Sequence, residues 1–470
     1  MQGFVGRTRD LAVLRDELAA VNETGAGRFV VIRGRRRVGK TWLIEEFLEQ
    51  QQLPHVYFAA TRRTSERELR LFAQALAISG LPVGEGAEGL AFEDWGTALA
   101  TASAGTDRAR PTAIVIDEFP YLSADDPGVE GSIQAAWDRT LSRRPVLLIL
   151  AGSDLSMMEA LGAYGSPLFG RPTRELIVEP LEPAELAEIA RLEPPAAIDA
   201  YAVVGGFPQL AQLWPKGGSV RTFLGQALAH PDTPFVLGGA RILDAEFPGE
   251  VQARTVLSVI GSGERAPSAI ANGAGLPASN LDRSLKFLST TKRMIRIDQP
   301  LAAKPLRAPR YSVADPYLRF WLRFIEPALG EIERRRGDDV AERVVAQWPA
   351  YRGRAVEPII RAALERLLPS DRFPDAKYVG GYWTRRNQPE IDLIGADRPA
   401  APARVGFVGS IKWRERAPFD DRDRAILAAD AAKVPGVSLA TPLVAVSRSG
   451  FRDVAGMAAV LDPDQLVGGT

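Results

Sequence analysis

The stretch from Phe29 to Phe47 limits the folds open to this 470-residue chain more than any other. A short apolar run, Phe29-Val30-Val31-Ile32, leads into Gly34-Arg35-Arg36-Arg37-Val38-Gly39-Lys40-Thr41, after which Trp42 continues into a helical pattern. The two glycines let the backbone curl so that successive N–H groups converge on the β- and γ-phosphates of a nucleotide. Lys40 adds a point charge, Thr41 offers a hydroxyl to Mg2+, and the helix starting near Lys40 turns its positive end toward the phosphates. Strand before and helix after is the context such a loop requires. The reading is an ATP or ADP site formed by Gly34 to Trp42, in an α/β domain with a parallel sheet.

At 46% apolar and 25% charged residues, the chain has material for about three or four domains with real cores. Lys plus Arg equals Asp plus Glu, 58 against 58, so nothing draws the whole chain to nucleic acid or membrane, and any such surface must be local. The lack of cysteine excludes disulfides, thiolate zinc and a cysteine nucleophile. With only His55 and His230, a histidine metal cluster is not expected. Met1-Gln-Gly-Phe-Val-Gly-Arg7 lacks the apolar core of a leader, and Val146 to Ala151 is too short to span a bilayer, so a cytoplasmic protein without a membrane partner is expected. Only eight of the basic residues are lysine, and two of them, Lys40 and Lys412, fall where motif chemistry asks for a flexible ammonium.

Before the loop, Leu11, Leu14 and Leu18 mark an amphipathic helix. About 75 residues after it, Ala113-Ile-Val-Ile116 reads as a strand buried on both faces, with Asp117-Glu118 at its end. This is a Walker B pattern. Asp117 would hold Mg2+ through water, and Glu118 would orient or deprotonate the attacking water. A third strand, Val146 to Leu150, ends in Ala-Gly-Ser153-Asp154. Ser153 or Asp154 is placed to sense the γ-phosphate, or Ser153 simply caps the helix that follows.

Phe4-Val-Gly-Arg7, Gly34 to Thr41, Ile114-Val-Ile-Asp-Glu-Phe-Pro-Tyr121, Gly152-Ser153 and Pro167-Leu-Phe-Gly-Arg171 together resemble the archaeal ATPase family, a branch of the AAA+-like and STAND P-loop NTPases. The resemblance implies a sensor role for Ser153. It also suggests Arg171, with Arg174 beside it, as the arginine that neutralises charge on the γ-phosphate, acting within one chain or on a neighbour in an oligomer. The other reading of Arg171 is a surface ion pair. Residues 1–175 are expected to be the ATPase core. Residues 176–244 resemble the helical lid of the family, with Gly205-Gly206-Phe-Pro208 as its turn over the nucleotide.

Residues 245–330 read as a winged-helix domain. Its helices fall at Val251 to Ile260, Pro267 to Gly273 and Pro277 to Leu288, and its wing strands at Met294 to Ile297 and Arg310 to Val313. Asn280, Arg283 and Lys286 share one face of the third helix, suited either to duplex DNA or to a protein contact. Asp315 to Phe324 matches the aromatic stretch of the family, which is expected to pack internally. Glu331 to Arg336 reads as a solvated helical joint.

Residues 350–470 carry Glu357 on an amphipathic helix, Glu390 with Asp392 on one strand face, and Ser410 with Lys412 on one face of the next. This resembles the PD-(D/E)XK nuclease fold, a small α/β domain that accompanies the family, with Glu357, Asp392 and Lys412 as the nuclease-like site. The chain departs from the pattern at Ser410, where an acid is expected, although Glu390 is placed to replace it. The favoured reading is a degenerate nuclease domain that binds without cutting. The whole chain then reads as a nucleotide-driven switch coupled to nucleic acid or protein, and the alternative is an ATP-gated DNA nuclease.

Overall fold

A computed structural model of the chain describes residues 4–84, 86–87, 89–107, 109–304 and 308–468. Met1 to Gly3, which open the stretch read as lacking a leader, lie outside the described residues. The chain divides into two compact units, Met1–Leu181 and Glu182–Thr470.

The first unit is built on five strands: β1 (Arg28–Arg33), β2 (His55–Ala59), β3 (Thr112–Asp117), β4 (Val146–Gly152) and β5 (Arg174–Ile177). All pairings are parallel, in the order β2-β3-β4-β1-β5. Every residue of β3 and β4 is buried, as expected of a parallel sheet covered on both faces. Burying each Val, Leu or Ile side chain contributes about 1.5–3 kcal/mol, and this holds rigid the strand ends that carry polar groups. Helices packed on the sheet supply Leu69, Phe72, Trp95, Leu99, Ile133 and Trp137 to a core shared with Phe29, Phe58 and Ile114. β5 straddles the domain boundary expected at 175/176. Its short Arg-Glu-Leu-Ile run carries little apolar signal, yet it pairs with β1 from Val30↔Arg174 to Arg33↔Ile177.

The second unit begins with helices Pro183–Ala190, Pro194–Val204, Val220–Ala227 and Pro234–Glu246. Three more follow, Val251–Ser262, Pro267–Ala274 and Ala278–Lys286, and then an antiparallel ribbon of β6 (Ile295–Asp298) and β7 (Arg310–Val313). Leu281, Leu285 and Leu288 are buried while Arg283 and Lys286 are exposed. In the aromatic segment, Tyr317 donates its hydroxyl to Phe235 O and Trp321 its indole N–H to Val236 O, each at 2.7 Å.

The solvated helical joint expected at 331–336 is a short helix, Leu329–Glu333, which buries Ile332, leaves residues 333–336 exposed and breaks before a single helix of 30 residues, Gly337–Arg366. That helix contains Pro349 and Pro358. A buried stripe, including Val340, Val344, Trp348, Val356 and Ile360, holds it together where the prolines alone would break it. Beyond it stands a five-stranded sheet of β8 (Tyr378–Trp383), β9 (Glu390–Ala396), β10 (Val405–Lys412), β11 (Leu443–Ser447) and β12 (Ala459–Leu461). β9 runs antiparallel to its neighbours β8 and β10, whereas β10, β11 and β12 run parallel. Helix Asp421–Ala431 makes the crossover from β10 to β11.

Candidate functional site

In the first unit β4 is inserted between β1 and β3, so the three strands end side by side. The loop after β1, Ser153 after β4 and Asp117-Glu118 at the end of β3 are thereby gathered at one edge, the position where open α/β sheets bind ligands.

Gly34 cannot be replaced, because a Cβ there would stand 2.5 Å from Val178 O. Gly39 takes φ 94°, in the left-handed region that favours glycine. Helix Lys40–Gln51 starts directly on Gly39, and among the described residues no side chain caps it. Its first N–H groups therefore face the loop, where an anion would satisfy them.

Lys40 is buried, and its Nζ donates to Gly34 O at 3.0 Å, Arg35 O at 3.1 Å and Ser153 Oγ at 3.0 Å. Burial pulls its pKa below the ordinary lysine value, against the opposing pull of the Glu118 and Asp117 carboxylates. Thr41 Oγ1 donates to Asp117 Oδ2 at 2.8 Å, and Tyr57 donates its hydroxyl to the same oxygen at 2.7 Å. Asp117 Oδ1 accepts the Glu118 N–H at 2.8 Å. Glu118 sits at φ 53°, a conformation costly for a non-glycine residue and concentrated at working sites. Its Oε1 accepts from Ser153 Oγ at 2.8 Å. Lys40, Ser153 and Glu118 thus form one hydrogen-bonded chain, and Thr41 and Asp117 a second. The second offers a hydroxyl and a carboxylate, hard oxygen donors of the kind that suit Mg2+.

The remaining loop residues take other roles. Arg36 donates to Tyr121 Oη at 3.0 Å, Arg35 and Arg37 also have partners, Val38 is buried, and Trp42 is partly exposed. Arg171 forks onto Asp138, its Nη2 at 2.9 Å, and among the described residues no bond links it to Lys40, Thr41 or Ser153. Arg174 pairs with Glu17. Gly205 belongs to the second unit, where its backbone packs against Tyr317.

Sequence reasoning assigned no role to two residues that shape the site. Arg7 is buried and donates to Val38 O at 2.7 Å and to Glu179 O, bracing the loop from behind. Tyr57 orients Asp117 from β2, and burial next to that carboxylate pushes its phenol pKa up, so it remains a donor. Arg7 had a local signal in Gly6-Arg7, but its partners lie far along the chain.

The second unit holds a cleft of about 590 Å3 lined by Glu357, Glu390, Asp392, Ser410 and Lys412. The residues expected to form a nuclease-like site are therefore brought together. Asp392 Oδ2 accepts from Ser410 Oγ at 3.0 Å and from the Ile411 N–H at 2.8 Å. Glu390, the candidate replacement acid, is held by Arg310 at 2.6 Å. Glu357 pairs with Arg361 at 3.2 Å, and its pKa is raised chiefly by burial, with Asp392 and Glu390 adding to the effect. Among the described residues no group of three Asp, Glu, His or Cys side chains is arranged to hold a metal ion, so these acids do not fit a divalent cation as they stand. No helix of the described residues is long and apolar enough to cross a membrane.

Comparison with known proteins bears on the first unit. Residues 4–212 match a family model described as an ATPase domain predominantly from Archaea, and residues 321–425 match one described as archaeal and bacterial proteins of unknown function. The chain is 28% identical over 431 residues to an uncharacterized protein of Methanocaldococcus jannaschii, a match covering 89% of each. Among solved structures, the Walker-type ATPase of Pyrococcus abyssi is 20% identical with a TM-score of 0.46, over 68% of this chain and 96% of that one. The ORC2 protein of Aeropyrum pernix, in ADPNP–ADP complexes, is 12% identical with a TM-score of 0.46, over 74% and 98%. The N-terminal part of this chain is an ATPase domain of the P-loop type.

Proposed function

We propose that the chain is an ATP-hydrolysing switch of the AAA+-like and STAND kind, coupled to a nucleic-acid or protein partner through its second unit. The observation that carries this reading is the hydrogen-bonded chain from Lys40 through Ser153 to Glu118, beside Thr41 and Asp117. Lys40 gives its ammonium to the β- and γ-phosphates, and the N–H groups from Gly34 to Thr41 cradle them. Thr41 and Asp117 would hold Mg2+, which when bound supplies charge neutralisation for the transferred phosphoryl group. Glu118 positions the attacking water and accepts its proton, while Ser153 relays the presence of the γ-phosphate between Lys40 and Glu118. Arg171 reaches the γ-phosphate by exchanging out of its pair with Asp138. That pair is partly exposed, so its loss costs about 1 kcal/mol or less.

The test is steady-state ATP hydrolysis with Mg2+, with and without duplex DNA. Glu118→Gln should lower turnover by roughly 10²–10⁴-fold, the usual contribution of a positioned base. Turnover in Glu118→Gln equal to wild type would sink the proposal. Stimulation by DNA would assign the partner to nucleic acid, with Arg283 and Lys286 of the winged-helix-like domain as its contact face. A rate indifferent to DNA would favour a protein partner.

A second reading, an ATP-gated DNA nuclease, is favoured by the convergence of Glu357, Asp392 and Lys412 in one cleft. It is also favoured by the order helix, three antiparallel strands, helix, parallel strand, which is that of the PD-(D/E)XK fold. The bond from Ser410 to Asp392 weighs against it, and we place the domain as a binding platform. Plasmid cleavage with Mn2+ decides between the two: cleavage by wild type but not by Asp392→Ala would establish the nuclease.

A further inference from the structure

A second cavity, of about 570 Å3, adjoins the cleft in the same unit. Its walls are the end of helix Val251–Ser262, the segment around Arg319 to Phe324, and the middle of helix Gly337–Arg366. Arg265 and Arg354 line both spaces. Four guanidiniums face this cavity, those of Arg265, Arg319, Arg323 and Arg354, against a single carboxylate, that of the exposed Glu264. Arg319 Nη2 donates to Ala355 O at 2.7 Å, and Arg323 donates to Ser262 O. Arg265 and Arg354 make no side-chain hydrogen bond or ion pair among the described residues.

Two further features mark the cavity. Tyr351 Oη and Arg319 Nε are shut off from solvent behind its wall, where the Arg319 guanidinium and the phenol answer each other. Arg323 and Phe324 stand where the backbone turns π-helical, at Trp321–Ile325, an irregularity that recurs at functional sites. The Phe324 and Tyr351 rings meet edge to face with centroids 5.1 Å apart, giving the cavity an aromatic wall. Its volume lies in the range of small-molecule sites.

We propose that this cavity binds a small phosphate ester of the nucleoside monophosphate class. Arg265 and Arg354 fork its phosphate, and its ring lies against Phe324 and Tyr351. A guanidinium fork matches phosphate oxygens in pairs. A terminal phosphate, with nearly two negative charges, answers this excess of arginines better than a singly charged backbone diester. It also offsets the burial that disfavours the charged form of Arg265, an effect the Glu357 carboxylate opposes and the nearby Arg310 and Arg354 reinforce. The site is separate from the loop after β1 and does not depend on what that loop binds.

The test uses the full chain carrying Lys40→Ala, which silences the nucleotide loop, titrated calorimetrically with AMP, inorganic phosphate and duplex DNA. One AMP site is expected, tighter than phosphate. Arg265→Gln and Arg354→Gln should each weaken it roughly ten-fold or more, as loss of a charged hydrogen bond does, with melting temperature unchanged because neither guanidinium holds the fold. The proposal is overturned if AMP does not bind, if AMP binds no tighter than inorganic phosphate, or if both arginine variants bind as the Lys40→Ala chain does. Binding of DNA without AMP would overturn it too, and would give the arginines to a polymer backbone.

Discussion

Trp413 donates its indole N–H to Asp199 Oδ1 at 2.7 Å, with both residues buried. The other carboxylate oxygen accepts from Arg448 at 3.0 Å and Arg352 at 3.4 Å. Asp199 thereby ties helix Pro194–Val204 to the end of β10, one residue past Lys412, and to helix Gly337–Arg366. Asp199→Ala strands the Arg448 guanidinium and the Trp413 indole N–H, while Arg352 keeps its bond to Glu415, and should lower stability by about 3–5 kcal/mol. Asp199→Asn keeps an acceptor for Trp413 and should cost less. Urea unfolding of the two variants checks this, and an alanine variant within about 1 kcal/mol of wild type would refute it.

Arg7 reaches the nucleotide loop through Val38 O. Arg7→Ala should raise the KM for ATP several-fold while leaving kcat within about two-fold, because it loosens the loop that binds phosphate without touching Glu118. Steady-state kinetics give the split. A fall in kcat at constant KM would contradict the bracing role.

The direction of the Lys40 shift sets a pH dependence. The charged ammonium is the form that holds phosphate, and burial lowers its pKa below the ordinary lysine value. ATP affinity should therefore fall as pH rises through the lowered pKa, earlier than for an ordinary lysine. ATP favours the charged form, so binding should take up protons in the alkaline window between the lowered pKa and the one ATP restores. Calorimetry in buffers of different ionisation enthalpy measures that uptake, which should vanish in Lys40→Ala.

Glu357 shifts the other way, its carboxyl raised by burial and by the neighbouring Asp392 and Glu390. An acid raised in the folded state costs stability as pH climbs from the ordinary carboxylate range through the raised value, and the cost stays constant above it. Glu357→Gln should therefore gain on wild type in melting temperature across that window. A difference independent of pH would show that Glu357 ionises normally.

The first site was legible in the sequence because its signals are local. A glycine-lysine loop follows an apolar strand, and an acid pair ends a second, so Lys40, Thr41, Asp117 and Glu118 could be named before any contact was known. The insertion of β4 between β1 and β3 could not be read, since strand order is a property of distant pairings. Nor could the bond from Arg7 to Val38 O, 31 residues away, or that from Tyr57 to Asp117, 60 residues away. The helix Gly337–Arg366 was read only in part, because Pro349 and Pro358 look like breaks until the buried stripe that outweighs them is seen. Arg171 shows the opposite failure: its motif is clear, but the sequence alone left its pairing with Asp138 as one of two readings.

That long helix rises about 45 Å and bears Tyr351 and Arg354 beside the arginine cavity, Arg352 against Asp199, and Glu357 in the acidic cleft. Inserting or deleting one residue within it would turn everything beyond by about 100° and misalign neighbours that now lie within about two turns. Relatives that keep these features should therefore absorb length changes in the loops on either side, leaving the count between Arg352 and Glu357 invariant.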